Sequence, residues 1–352
     1  DHWMVPVHSY DPSQQYLGRI SRDMVPLHEY EPIETYKSRV QSYRVPALPE
    51  EKIANHIHAG QHSTDLFASQ AAEFISNYKK DDPFFAYVAF MAPHDPRTTP
   101  QKFYDMYSVE DIDIDENFMV QHPFDNGELD ARDELLAAVP RNELEVKHHI
   151  AEYYAMVSHL DSQVGLILDA LKESNQISNT IIVLAGDNGL ALGRHGLFGK
   201  QNLYDHSIHI PMIFCGPGIP RDESRDSLVY TADIYPTLCE MTGIDIPESV
   251  LGKSMMNILK EKEVSTRDYL YYVYKDVQRA VTYQGWKLIE YNVKGVRSTQ
   301  LFNIREDPDE IHDLSDDVGF VEKMTEMRGK MMEGREEYGD NLPPFDKFWE
   351  SF

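Results

Sequence analysis

A chain of 352 residues with 41% hydrophobic and 11% aromatic content is long enough to bury one large core and a smaller satellite, and too apolar to be disordered. Its net charge of −26 argues against nucleic acid as a partner, since phosphate binding needs clustered Lys and Arg; an anionic ligand would have to meet local positive charge in a cleft. Two cysteines rule out a disulfide framework, and no stretch reaches the roughly 18 apolar residues that a membrane span requires.

Residues 1–63, rich in Tyr, His and Pro with weak periodicity, read as loops with room for short strands. Thr64 reads as the N-cap of a helix, "DLFASQAAEFISNYKK", in which Leu66, Phe67, Ala71, Phe74, Ile75 and Tyr78 share one face. "DDP" ends it, and the apolar run "FFAYVAF" (84–90) has strand length and feeds the loop "MAPHDPRTTP". From 108 to 142 the chain is acidic and irregular. Its "DIDIDEN" is only superficially a calcium loop: Glu116 stands where glycine is needed and His122 where the bidentate Glu is needed, so an exposed acidic loop is expected. A long helix is predicted over 143–173, with Ile150, Tyr153, Tyr154, Val157, Leu160, Val164, Ile167, Leu168 and Leu171 as its buried stripe.

The strand "TIIVLA" follows, then the glycine-rich loop "GDNGLALGRHGLFGK", a helix near 201–207, the strand "IPMIFCG", and a helix over 231–242 stopped by Gly243. Such helix–strand alternation predicts an α/β fold with a largely parallel sheet flanked by helices. Past Lys262 the texture changes to short strands, "YLYYVY", "RAVTY", "WKLIEYNV" and "TQLFNI", then a helix near 318–337. This predicts an α/β domain over 1–262 and a small antiparallel α+β subdomain over 263–352. Cys215, in an apolar run, and Cys239, in a helix, read as buried free thiols.

In an open parallel sheet, ligands bind beyond the carboxyl ends of the strands. Two strands end in polar clusters here: 84–90 delivers His94, and 180–185 delivers Asp187 and Asn188. That pair offers oxygens only, which favours a hard cation, Ca²⁺ or Mg²⁺, over Zn²⁺. The same Asp-Asn-Gly equally suits a turn, a lone loop histidine is equally served by backbone hydrogen bonds, and Lys200 alone reads as a surface lysine. Their gathering on two strand-end loops points to a site for a cation beside an anion.

The stretch "AGDNGLALGRHGLFGKQNLYDHSIHIPMIFCGPGIP" resembles the carboxy-proximal signature of the formylglycine-dependent sulfatases, in the alkaline-phosphatase superfamily. In the same order, "FFAYVAFMAPHDP" resembles that family's Pro-His-x-Pro loop, "TADIYPTLCEMTGIDIP" its Asp-x-x-Pro-Thr helix, and "RAVTYQGWKLIEY" with "QLFNIREDPDEIHDL" its small terminal sheet. The resemblance implies an alkaline-phosphatase-like fold and a sulfuric ester hydrolase acting on a sulfated carbohydrate, periplasmic or secreted. By the same resemblance, Asp187 and Asn188 would bind Ca²⁺ (or Mg²⁺), His94 and Lys200 would contact the sulfate and leaving-group oxygen, and His195, Asp95 and Arg97 would contact the sugar.

There are departures. The family's nucleophile is a formylglycine made in Cys/Ser-x-Pro-x-Arg, but Cys215 is followed by "GPGIP" and Cys239 by "EMTG", and no serine fits. In the family that motif, an Asp pair completing the metal shell and a Gly-Lys-x-His segment all precede the point where this chain begins. The chain is therefore expected to be a carboxy-terminal portion, with an incomplete sheet and no turnover by itself. Asp205 and His209 stand where relatives carry Glu and Arg. The alternatives are a phosphodiesterase or phosphonate hydrolase of the same superfamily, and a noncatalytic relative that binds sulfated glycans.

Overall fold

The computed structural model describes residues 62–350 apart from 96, 98, 263 and 344, so nearly all of the loops expected over 1–63 lie outside the described residues. The chain divides into two compact units, residues 1–114 with 136–180, and residues 115–135 with 181–352.

The first unit is built on helices α1 (Ser63–Asn77) and α2 (Glu143–Glu173). The cap of α1 is His62, whose Nδ1 accepts the Thr64 N–H at 3.1 Å; Thr64 itself lies inside the first turn, buried. The bounds of α2 are those expected, with Asn142 capping the Glu145 N–H at 3.1 Å. Its buried stripe differs. Ile150 and Leu171 are buried as expected, but Tyr154 and Val157 are exposed, and Ala151, Ala155, Met156 and His159 are buried instead. Small side chains let two helices approach closely, and Ala68 of α1 is likewise fully buried. His159 donates from Nε2 to Asp65 Oδ1 at 2.6 Å, tying the two helices together.

The expected strand 84–90 does not form. A strand needs a neighbour to take its backbone N–H and C=O groups, and no described strand pairs with this run. Phe85 and Tyr87 are 79% and 84% exposed. His94 therefore sits on a turn closed by its own N–H on the Met91 carbonyl at 3.0 Å, not at the end of a strand.

In the second unit, β1 (Ile182–Ala185) pairs with β2 (Met212–Cys215), Ile182 opposite Cys215. The pairing is antiparallel where alternation predicts parallel, because the connection holds only the helical turn Asp205–Ile208 and no full crossover helix. Along β2 burial alternates, leaving Ile213 and Cys215 on the exposed face; Cys239 is buried as expected and Cys215 is not. Helix α3 (Ile234–Thr242) ends at Gly243, whose φ of 70° is the left-handed cap expected there.

Four strands follow, β3 (Tyr269–Tyr274), β4 (Gln278–Tyr283), β5 (Trp286–Val293) and β6 (Val296–Phe302), in an antiparallel meander in sequence order. One face packs Val281, Leu288 and Leu301 against Met327 and Met331 of helix α4 (Val321–Glu337). The other packs Ala280, Ile289 and Phe302 against Ala191, Leu197 and Tyr204. The glycine-rich loop is thus anchored on a sheet buried on both faces.

Candidate active site

The apolar residues of "GLALGRHGLFGK" are what fix this loop. Ala191, Leu192, Leu197 and Phe198 are buried, and the loop closes on itself through Ala191 N–H to Gly199 O (2.9 Å) and Gly193 N–H to Leu197 O (2.8 Å). Gly189 admits no side chain, since a Cβ would stand 2.0 Å from the His206 carbonyl oxygen. Gly196 is constrained twice, by φ of +73° and by the Gln121–His122 backbone, 2.2 Å from where its Cβ would be.

Asp187 and Asn188 project from the loop just beyond β1. Asp187 Oδ1 accepts the Asn188 N–H at 2.9 Å, and Asn188 Nδ2 donates to the Gly189 carbonyl at 2.9 Å. This is the turn chemistry of Asp-Asn-Gly, and it also leaves the Asn188 Oδ1 and the second Asp187 oxygen as acceptors on an accessible surface. The donor set fits a hard cation. It does not fill the six to eight positions that Ca²⁺ takes, and among the described residues no three His, Cys, Asp or Glu side chains form a metal cluster.

Lys200 closes the loop. Its N–H donates to Gln201 Oε1 at 3.0 Å, Gln201 Nε2 donates to Asp133 Oδ2 at 2.8 Å, and Arg132 Nε donates to Asp133 Oδ1 at 2.6 Å. Burial alone would raise the Asp133 carboxyl; Gln201, Arg132 and the nearby Lys200 charge outweigh it and hold the group below its ordinary value. Beside it, Glu134 is buried and accepts the N–H groups of Phe198 and Gly199, each at 2.8 Å. The stretch 108–142, which reads as acidic and irregular, therefore supplies a carboxylate near Lys200, Asp133, and one that holds the loop backbone, Glu134. Their pairing spans more than sixty residues, and no local pattern signals it.

His195 is only 3% exposed. Its N–H donates to the Asn117 carbonyl at 2.8 Å, and its ring lies flat on Tyr204 at 3.9 Å between centroids. Burial, then the neighbouring His122 and Lys287, push its pKa down to about 3, so the ring is neutral. It stands as a packed wall residue with one edge on a cleft. Asp205 accepts the buried Lys287 ammonium, which also lies 2.7 Å from Glu310, while His209 is an exposed neighbour of Asp205.

His94, Asp95 and Arg97 belong to the other unit. His94, a partly exposed ring, donates from Nδ1 to the Asp95 carbonyl at 2.8 Å. Asp95 and Arg97 are buried. Arg97 donates from Nη1 to His149 Nδ1 at 2.6 Å, and burial followed by the Arg97 charge holds His149 well below its usual pKa. The two groups of expected site residues are thus a turn pinned to α2 and a loop pinned to the four-stranded sheet.

The architecture is alkaline-phosphatase-like. The solved structure of BT4656 in complex with its substrate D-glucosamine-2-N,6-O-disulfate matches with a TM-score of 0.68 at 19% identity, covering 81% of this chain and 72% of that one. The phosphonate monoester hydrolase SpPMH from Silicibacter pomeroyi matches with a TM-score of 0.69 at 18% identity, covering 96% and 70%. At such identities the likeness concerns fold. Residues 19–244, well over half of the sequence, match the Sulfatase family model, and the chain belongs to the sulfatase family. Residues 193–337 also match the model for N-sulphoglucosamine sulphohydrolase, C-terminal. The arylsulfatase of Clostridium perfringens is 28% identical over 287 residues, 78% of this chain and 59% of that protein. A sulfatase of Formosa agariphila is 33% identical over 229 residues, 62% and 43%. The chain spans about half the length of these curated relatives.

Proposed function

We propose that the protein hydrolyses sulfate esters of a sulfated carbohydrate. The observation that carries this reading is the loop 186–200, which holds an oxygen-donor pair at one end and a lysine near the buried Asp133 carboxylate at the other, packed on the four-stranded sheet. The BT4656 complex with a disulfated glucosamine supports a sulfated sugar as the substrate class. A periplasmic or secreted location is part of the same proposal.

The leaving oxygen of a sulfate ester gains negative charge as the S–O bond breaks. Lys200 and His94 are assigned to meet that charge as donors. Since His94 Nδ1 is already committed to the Asp95 carbonyl, any proton it gives to the leaving group sits on Nε2. Asp187 and Asn188 would hold Ca²⁺, or Mg²⁺ in its place, and the bound ion would supply fixed positive charge against the anionic ester. Asp95 and Arg97, held by α2, and His195, held on Tyr204, are assigned to orient the sugar. Neither Cys215 nor Cys239 stands in a formylglycine motif, so the 352 residues by themselves are expected to bind and not to turn over.

The test is a screen for sulfate release from sulfated mono- and disaccharides by a form of the protein that carries a complete nucleophile motif, with Lys200→Ala alongside. Loss of about 10²-fold or more in kcat is expected for the variant. Unchanged kcat removes Lys200 from the site. A second reading, a phosphonate or phosphodiester hydrolase, draws on the SpPMH likeness over 96% of the chain. A preference of about a hundredfold for an aryl phosphodiester over an aryl sulfate, roughly 2.7 kcal/mol in the barrier, would establish it instead.

A further inference from the structure

Lys200 is half-buried, and its ammonium has no hydrogen-bond or ion-pair partner among the described residues, whereas the backbone around it is held on both sides. Immediately before it, the Gly199 N–H donates to Glu134 Oε1 at 2.8 Å and the Gly199 carbonyl accepts the Ala191 N–H at 2.9 Å. Immediately after it, the Gln201 carbonyl accepts Nε2 of Gln278 at 3.2 Å, a fully buried side chain of β4. A lysine head swings on a flexible four-carbon stem, so what the fold can fix is the point from which it swings.

The N–H of Lys200 itself is met by a side chain, Gln201 Oε1 at 3.0 Å. That amide has a defined sense: its Nε2 donates to Asp133 Oδ2 at 2.8 Å, so its oxygen faces Lys200. Asp133 is buried and takes Arg132 Nε on its other oxygen, Oδ1, at 2.6 Å. Both oxygens are thus engaged by Arg132 and Gln201, not by the lysine head. The glycine at 199 is the space this arrangement needs, since a Cβ there would stand 2.7 Å from Asp133 Cβ and closer still to Gln201 Oε1. We propose that Gln201 is a positioning residue for Lys200, oriented by Asp133, so that the lysine presents its ammonium to the anionic ester from a fixed backbone. Its catalytic consequence rests on the ester-hydrolase reading, whereas the hydrogen bond to Lys200 can be read without turnover.

Two measurements test it. In the 352-residue chain, amide hydrogen exchange at Lys200 should quicken about fivefold in Gln201→Ala, the worth of one hydrogen bond. In a form with a complete nucleophile motif, Gln201→Glu sets two carboxylates against each other and should lower kcat for sulfate release about tenfold, with KM within about twofold. Adding Asp133→Asn restores the pair with its sense reversed, an amide at 133 donating to a carboxylate at 201, and kcat should return to within about threefold of the parent. In the Lys200→Ala background, Gln201→Glu should cost less than about twofold, because no ammonium is left to position. A loss of fold stability would act alike in both backgrounds, so equal losses overturn the proposal. Unchanged exchange at Lys200, unchanged kcat in Gln201→Glu, or no recovery on adding Asp133→Asn would each overturn it too. Failure of the parent to release sulfate, or unchanged kcat in Lys200→Ala, overturns the ester-hydrolase reading instead, and the exchange rate then still decides whether Gln201 holds Lys200.

Discussion

Glu134 satisfies two backbone N–H groups of the glycine-rich loop with one buried carboxylate. Such bonds to an ionised acceptor are stronger than neutral ones, and leaving a buried donor unmet costs about 1–3 kcal/mol. Glu134→Gln keeps the shape but turns an NH₂ group toward one of the two donors. It should lower the unfolding free energy in urea by about 2–4 kcal/mol. Lys200→Ala, on the accessible side of the same loop, should change it by less than about 0.5 kcal/mol. Equal stability of Glu134→Gln and the parent chain would show that the loop is held by its apolar anchors alone. The contrast also marks what a sequence can reveal at this scale. Asp187, Asn188, His195 and Lys200 share a loop, so their grouping is legible from spacing. Glu134 reads as one more acid in an acidic stretch, because its partners lie some sixty residues away.

At the scale of elements, α3 begins on a comparable device. Asp233 is fully buried and accepts the N–H groups of Tyr230 and Lys253, each at 2.8 Å, while Arg267 donates to it from both Nη atoms, one at 2.9 Å. Burial alone would raise this carboxyl; the Arg267 pair and the two backbone donors outweigh burial and hold it below its ordinary value. Asp233→Ala leaves two amides unmet and the Arg267 guanidinium without its counter-charge, with only the Leu228 carbonyl at 3.4 Å and the Tyr230 ring beside it, and should destabilise by about 3–5 kcal/mol. Adding Arg267→Met should recover part of that loss, because it removes the stranded charge, but not all, because the amides stay unmet. Strictly additive thermal-melt losses would mean that the two residues do not act together. The elements differ in how far local sequence reveals them. The bounds of α2, the glycine stop of α3 and the four-strand meander rest on period and turn chemistry within a few residues. Whether 84–90 becomes a strand depends on a neighbour, as does cover for Leu184 and Ile213, which lie opposite each other and exposed. No local pattern contains that information.

Across the whole molecule, acid acts in two opposing ways. Lowering the pH from 7.5 toward the pI near 4.9 relaxes a net charge of −26, which favours the compact state. Against this stand His122 and His195, packed beside Tyr204 with His206 and Lys287 nearby. Burial pushes His122 down to about 4 and His195 to about 3. Unfolded, both would titrate near 6.5. Their contribution to stability is complete above that value and is lost as the pH falls from about 6.5 toward 4 and 3, because only the unfolded chain takes up the protons. At pH 5 the loss is about 2 kcal/mol for each histidine, while repulsion between exposed charges is screened beyond about 8 Å at physiological ionic strength. We expect the histidines to prevail: the urea midpoint should fall between pH 7.5 and 5. His122→Asn, whose amide can still donate to the His195 carbonyl that His122 Nδ1 meets at 2.8 Å, should flatten that fall by about 2 kcal/mol. A midpoint that rises toward pH 5 would mean that charge relief dominates. A slope unchanged by the substitution would mean that the buried imidazoles are protonated without strain.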